Sequence, residues 1–275
     1  MSLVSMDVMS EHAAPPSGAR PGPGALARAA DGFAAVENFP RWHSQWAWEN
    51  YGNAVMGLSK DLGLKRLCEI GGGRDPFFPL ADIRARGLDY TINDISAEEL
   101  AAAPEGFRKA RFDIAGDLSE PDAEGAQFDL MFSRMVFEHV DGVPRAWANM
   151  HKLLAPGGVA FAYFPCLYAW PFLINKLIPE SVSSRIVRAL YPHRRDGAGD
   201  PKFPAHYDHC VAREQTLRPM LEAAGFREIH IRPFWWHGYL KNVPLLGRAD
   251  DAANRACAAL DVTTLATYAW VMARK

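Results

Sequence analysis

From Lys65 onward, apolar and polar positions alternate in short blocks. "KRLCEIG" reads as a buried strand, "FFPLADIRARG" has helical spacing and stops at Gly87, and "DYTINDIS" reads as a second strand. "AEELAAAP" is a short helix ended by Pro104, "ARFDIAGDL" (residues 110–118) a third strand and "FDLMFSRMV" a fourth. "VPRAWANMHKLLAPGG" is a helix closed by proline and glycines, and "VAFAYFP" a fifth strand. After an interruption, "REQTLRPMLEAAGF" and "REIHIRPFW" give a helix and a strand, and "TTLATYAWVMARK" suits a last strand. Strands alternating with helices predict parallel pairing in a doubly wound sheet.

Two stretches stand outside that rhythm. Residues 1–30 are rich in Pro, Gly, Ala and Ser and predict a disordered leader. "ENFPRWHSQWAWENYGNAVMG" carries too many aromatics for a linker and predicts a helical element packed on the domain as an aromatic lid. The domain then runs over residues 31–275, with an insertion at about 165–210.

Composition narrows the class. Nearly half of the 275 residues are apolar, enough for one large domain. The net charge is −2 and no long basic run occurs, which argues against nucleic acid as a partner. Cys68, Cys166, Cys210 and Cys257 are scattered without a Cys-x-x-Cys spacing, as expected for reduced thiols in a cytoplasmic protein. The apolar run "VAFAYFPCLYAWPFLI" is short of a membrane span and holds two prolines, so a strand, loop and helix explain it better.

The chemistry centres on "LCEIGGGRDPFF". Gly71, Gly72 and Gly73 follow a strand ending in Glu69 and Ile70, where parallel sheets bind ligands beyond their strand ends. Asp75 reads as a helix N-cap and Pro76 as the first helical residue. A dinucleotide fingerprint needs a last glycine where this chain has Pro76, and Asp75 there repels phosphate. Glu69 suits a cationic ligand such as S-adenosylmethionine, which carries an ammonium and a sulfonium and no phosphate. Asp94, closing the second strand, can accept ribose hydroxyls in either nucleotide class.

With "EIGGG", "INDIS", "FDLMFSRMVFEHV", "LLAPGGVAFAYFP" and "LEAAGF" in this order, the chain resembles the class I S-adenosylmethionine-dependent methyltransferases. The resemblance implies a Rossmann-like, mostly parallel seven-stranded sheet with an antiparallel last strand. It assigns Glu69 and the three glycines to the methionine part of the cofactor, and Asp94, with Ile95 beside it, to the ribose. Asp113 and Ile114, at the end of the third strand, would meet the adenine, with Asp117 competing for that role. Ser133 and Arg134 would lie under the cofactor. The chain departs from the family at Asp75, where a third spaced glycine is common.

No Asn/Asp-Pro-Pro-aromatic stretch follows the fourth strand, so a small-molecule, sugar or lipid-linked acceptor is expected, methylated at oxygen. The insertion reads as a helical cap; its Lys176, Arg185, Arg188, Arg194 and Arg195 also suit contact with a membrane surface. His139 is the expected base, with an ordinary helix-end pair Glu138–His139 as the alternative and His206 and His209 as further candidates. His206, Asp208 and His209 form a loose cluster, read as a pocket edge with no metal. A nicotinamide-dependent reductase and a non-catalytic cofactor-binding module remain as rival readings.

Overall fold

The computed structural model describes residues 24, 26–28, 38–119, 125, 127–169, 205–240 and 243–275. Helix α1 (Ser44–Leu62) leads into β1 (Arg66–Ile70), α2 (Leu80–Ala85), β2 (Asp89–Asp94), α3 (Ala97–Ala102) and β3 (Arg108–Arg111). Then come β4 (Phe128–Arg134), a 3-10 turn (Phe137–His139), α4 (Val143–Leu153), β5 (Leu154–Pro165), α5 (Glu214–Ala223), β6 (Glu228–Phe234), α6 (Pro244–Ala259) and β7 (Tyr268–Arg274). One seven-stranded sheet has the order β3-β2-β1-β4-β5-β7-β6. Every pair is parallel except those made by β7, which runs antiparallel to β5 and β6. This is the Rossmann-like arrangement expected, and the strand order reverses between β1 and β4, where such sheets open a cleft.

Strand alternation sorts the core into two layers. Leu67, Leu130, Phe132, Phe161, Tyr163 and Trp270 face one side with Trp46, Tyr51 and Leu58 of α1. Cys68, Ile70, Met131, Ala160, Ala162 and Val271 face the other with Trp147 of α4 and Leu217 of α5. Because side chains repeat every second residue, a continuous apolar strand can feed both layers. Tyr51 sits among Phe132, Phe161, Tyr163 and Trp270, and its hydroxyl donates to the carbonyls of Ser133 (2.7 Å) and Phe161 (3.2 Å). The aromatic N-terminal element is therefore part of the core on one face of the sheet, and not a lid over the site.

Several boundaries differ from expectation. Helix α2 begins at Leu80, with Pro79 in the cap position, so Asp75 is not its N-cap and Pro76 is not its first residue. Pro79 pushes the preceding residue out of helical geometry, which delays the start. The third strand ends at Arg111, before Asp113 and Ile114. Asp113 folds an Asx turn there, its Oδ1 accepting from Ala115 N (2.8 Å) and its carbonyl from Gly116 N (2.9 Å). Phe112 and Ile114 are buried all the same, so the alternation in "FDIAGDL" belongs to a packed loop. The last strand starts at Tyr268; Thr263–Leu265 is a 3-10 turn. Helix α6 was not foreseen: the side chains it buries are Asp250 and Asn254, not an apolar stripe.

Of the leader, Leu26 is fully buried and its N–H donates to Glu228 Oε1 (3.3 Å); residues 1–23 lie outside the described residues. So do residues 170–204, and with them the helical and basic cap pattern. The insertion's two described ends meet, Leu167 N donating to the carbonyl of Cys210 (2.8 Å). Among the described residues no helix is long and apolar enough to cross a membrane.

Candidate active site

At the reversal of strand order lies a cavity of about 480 Å³, within the range that holds a small ligand or cofactor. Gly71, Asp94, Ile95, Asp113, Ile114 and His139 line it, with Asn93, Met135, Val136, Val140 and Asp141. The wall holds three aspartates and, among the described residues, no lysine or arginine. Such a wall favours a cation and repels phosphate.

The glycine turn explains the cavity's inner edge. Gly71 has φ +73°, and a Cβ there would stand 2.6 Å from Val136 Cγ2. Gly73 has φ +45°, and its Cβ would stand 3.1 Å from Asp94 Oδ2. Gly72 N donates to the carbonyl of Asn93 (2.9 Å), tying the turn to β2. Arg74, the basic residue in the turn, pairs with Glu99.

Asp94 is half-buried, its Oδ1 accepting from Ser96 N (2.9 Å). Burial raises its pKa above the ordinary carboxylate value. The loop with Asp113 and Ile114 is held from two sides. Asn93 Nδ2 donates to the carbonyls of Ala110 (3.1 Å) and Phe112 (2.9 Å), and Asn149 Nδ2 of α4 donates to those of Ile114 (2.9 Å) and Gly116 (3.0 Å). Neither asparagine was singled out in the sequence, and no motif marks Asn149.

Glu69, Gly72, Gly73, Ser133 and Arg134 do not line this cavity. Glu69 is buried beneath the turn, where its carboxylate accepts from Phe77 N (3.0 Å) and the hydroxyl of Tyr90. Burial pushes its pKa up to about 7 against the opposing pull of those bonds and of Arg134. Ser133 is fully buried in β4, where it pairs with Ile70 and Ala162. Arg134 leaves the strand end on the α1 side, between the rings of Trp48 (4.4 Å) and Phe77 (4.2 Å).

His139 stands on the 3-10 turn after β4 with its side chain 38% exposed, and its Nε2 is 3.9 Å from Glu138 Oε1. Glu138 is buried, and desolvation pushes its pKa up to about 7. The Glu138 carbonyl accepts from His206 N (2.8 Å) and Tyr207 N (3.1 Å), so the stem of the insertion sits beside His139. Asp208 pairs with His209 Nδ1 at 2.5 Å, and among the described residues no cluster of metal-ligating side chains occurs.

A second cavity, about 270 Å³, opens where β5 ends and β7 begins, lined by Ser44, Trp48, Tyr163, Trp236, His237 and Tyr268 among others. Asp250 of α6 reaches His237, Nε2 to Oδ1 3.2 Å, and Asp251 and Asn254 bond Trp236. Burial lowers the His237 pKa although Asp250 opposes this, which favours the neutral imidazole. The spacing from His237 to Asp250 carries no sequence signal, because a loop and a helix bring them together.

Residues 45–231 match the model of a family described as "Methyltransferase domain". The chain is 31% identical over 123 residues to a malonyl-[acyl-carrier protein] O-methyltransferase of Pectobacterium atrosepticum, covering 40% of this chain and 47% of that protein. It is 25% identical over 180 residues to an uncharacterized methyltransferase of a Mycobacterium species (strain JLS), covering 63% of this chain and 69% of that one. It thus spans about half the length of the first of these relatives. Among solved structures, the DszA carbon methyltransferase superposes with a TM-score of 0.50 at 15% identity, covering 84% of this chain and 54% of that one.

Proposed function

The chain belongs to the family described as "Methyltransferase domain"; from that premise we propose that it is an S-adenosylmethionine-dependent methyltransferase, that the 480 Å³ cavity holds the cofactor and that the methyl group passes to an oxygen of a small-molecule, sugar or lipid-linked acceptor. The observation that carries the proposal is the cavity wall: three aspartates, no lysine or arginine among the described residues, and a glycine at its inner edge where a side chain would intrude. These residues fit the group. Asp94 would accept from the ribose hydroxyls, Ile95 and Ile114 would cover apolar faces, and Asp113 would accept from an exocyclic amine. Gly71, Gly72 and Gly73 would let the backbone approach the methionine end, with Glu69 holding the turn from beneath through Phe77. Ser133 would stand behind the site, buried in β4 beside Ile70, while Arg134 leaves the same strand end toward Trp48 and Phe77.

When bound, the cofactor supplies an activated methyl group for in-line displacement. The protein's share is to hold acceptor and cofactor in register, exclude water and take the acceptor's proton. His139 lines the cavity with its side chain partly exposed, which supports its imidazole as the group that takes that proton. The named O-methyltransferase activity of the Pectobacterium relative agrees with an oxygen acceptor. With His139 as base, His139→Gln is expected to remove most of the rate while cofactor affinity, read by calorimetry, stays within about three-fold. Near-normal turnover, or a joint loss of affinity and rate, would make the histidine structural.

A further inference from the structure

The Glu138 carboxyl serves neither the apolar core nor the wall of the cofactor cavity. Its side chain is 5% exposed, it does not line the cavity, and its Oε2 has no hydrogen-bond partner among the described residues. Tyr163 of β5 and Cys210 of the insertion's stem face it from neighbouring elements, and Glu138 opposes the ionisation of each. Neither can bring it a positive charge. His139 can: its Nε2 is 3.9 Å from Glu138 Oε1, and the His139 ring does line the cavity.

The backbone that carries both residues is held from three sides. Phe137, just before them, is fully buried against Trp147 and Phe164. His139 N donates to the carbonyl of Val136 (2.9 Å), and the Glu138 carbonyl accepts from His206 N and Tyr207 N. Adjacent side chains on a helical turn do not ordinarily face each other, yet here a carboxylate oxygen and a ring nitrogen do. Their separation is beyond a hydrogen bond, and catalytic hydrogen bonds are commonly this loose before ligands bind and tighten in the complex. A carboxylate that accepts from Nε2–H fixes the tautomer with its proton on Nε2 and its lone pair on Nδ1.

We infer that Glu138 is the positioning residue of His139: its carboxylate holds Nε2–H, sets Nδ1 as the atom that takes the acceptor's proton, and faces the imidazolium that results. The inference rests on the reading of His139 as base and deepens it. As the oxygen–methyl bond forms and the sulfur–methyl bond breaks, the acceptor's proton passes to Nδ1, and the positive charge appears on a ring with a carboxylate beside it. A charged acceptor holds such a ring more strongly than a neutral one.

The test is long-range proton–nitrogen correlation spectroscopy of the imidazole rings in the isotope-labelled full chain at pH 8, where an ordinary imidazole is neutral and Glu138 is ionised. The His139 signals are those missing from His139→Gln. Spectra are taken on the protein alone and with S-adenosylhomocysteine saturating; absence of binding would overturn the cofactor placement, while the first spectrum still tests the pair. In wild type the Nε2–H tautomer of His139 is expected to dominate. In Glu138→Gln, whose amide bonds the ring more weakly than a carboxylate, the ratio of Nε2–H to Nδ1–H is expected to fall about five-fold. Affinity for S-adenosylhomocysteine should stay within about three-fold of wild type, and urea unfolding should show the variant no less stable at pH 8. A purely structural role predicts the reverse, a variant that loses stability and keeps the tautomer. Glu138→Met, apolar and of similar length, decides should the Gln variant not fold. The inference is overturned if His139 carries its proton on Nδ1 in wild type, if the tautomer ratio is unchanged in the variant, or if the variant loses stability and cofactor affinity together.

Discussion

Gly71→Ala is expected to destabilise the protein by about 3 kcal/mol and to weaken S-adenosylhomocysteine binding at least ten-fold. Two costs add. A residue with a Cβ pays roughly 1–2 kcal/mol to hold a left-handed conformation, and Gly71 has φ +73°. The new methyl would also stand 2.6 Å from Val136 Cγ2, and forcing such an overlap costs about 1–3 kcal/mol. Val136 is β-branched, stiff at its first torsion, and itself lines the cavity, so relief by moving it would deform the binding wall. Urea unfolding and titration of the same variant read both effects. Gly63 is a fitting control: its φ is +69° and nothing lies within 4 Å of its Cβ position, so Gly63→Ala should show the backbone cost alone. If Gly71→Ala matches wild type in stability and in affinity, the turn is not the cradle described.

Glu138→Gln is expected to stabilise the protein above pH 7, by on the order of 3 kcal/mol, and to flatten its pH dependence between about pH 4.5 and 7. Burial lifts the Glu138 pKa from 4.5 to about 7. In that window the folded state holds a proton that the unfolded state has released, so stability falls as pH rises and levels off above the folded pKa. Each pH unit of the window is worth about 1.4 kcal/mol. Among the described residues Glu138 Oε2 has no hydrogen-bond partner, so ionisation is not compensated there. Glu69 titrates in the same direction, so the comparison is the difference between wild type and variant, from urea unfolding at pH 5 and pH 8. A variant less stable than wild type at pH 8, or one with an unchanged pH slope, would contradict this account. A carboxyl kept at such cost beside His139 marks a place where the fold gives up stability next to the cavity that His139 lines.

The sheet was legible because buried parallel strands advertise themselves as short apolar blocks and because Gly71–Gly73 break one of them abruptly. Asp94 could be read from its place at the end of such a block, and Gly71, Asp94, Ile95, Asp113, Ile114 and His139 do share one cavity. What escaped follows from polar burial. The alternation through Phe112 and Ile114 mimics a strand, while the Asp113 turn ends it. Helix α6 buries Asp250 and Asn254, which no hydrophobic period can show. Asn149 acts on a loop 35 residues earlier through one amide, and Arg134 acquires its stacking partners from α1 and from the segment before α2. Such contacts exist only once the chain has folded.

The most direct measurement is titration of the full chain with S-adenosylhomocysteine, wild type against Asp94→Ala, with NADH as the competing nucleotide. Wild type should bind S-adenosylhomocysteine at a single site and give no heat with NADH, as a wall of three aspartates with no lysine or arginine among the described residues repels a pyrophosphate. Leaving the ribose hydroxyls unpaired in Asp94→Ala should cost about 1–3 kcal/mol, roughly ten- to a hundred-fold in affinity. Binding of NADH in place of S-adenosylhomocysteine, or an Asp94→Ala variant that binds as tightly as wild type, would contradict the placement of the cofactor in this cavity.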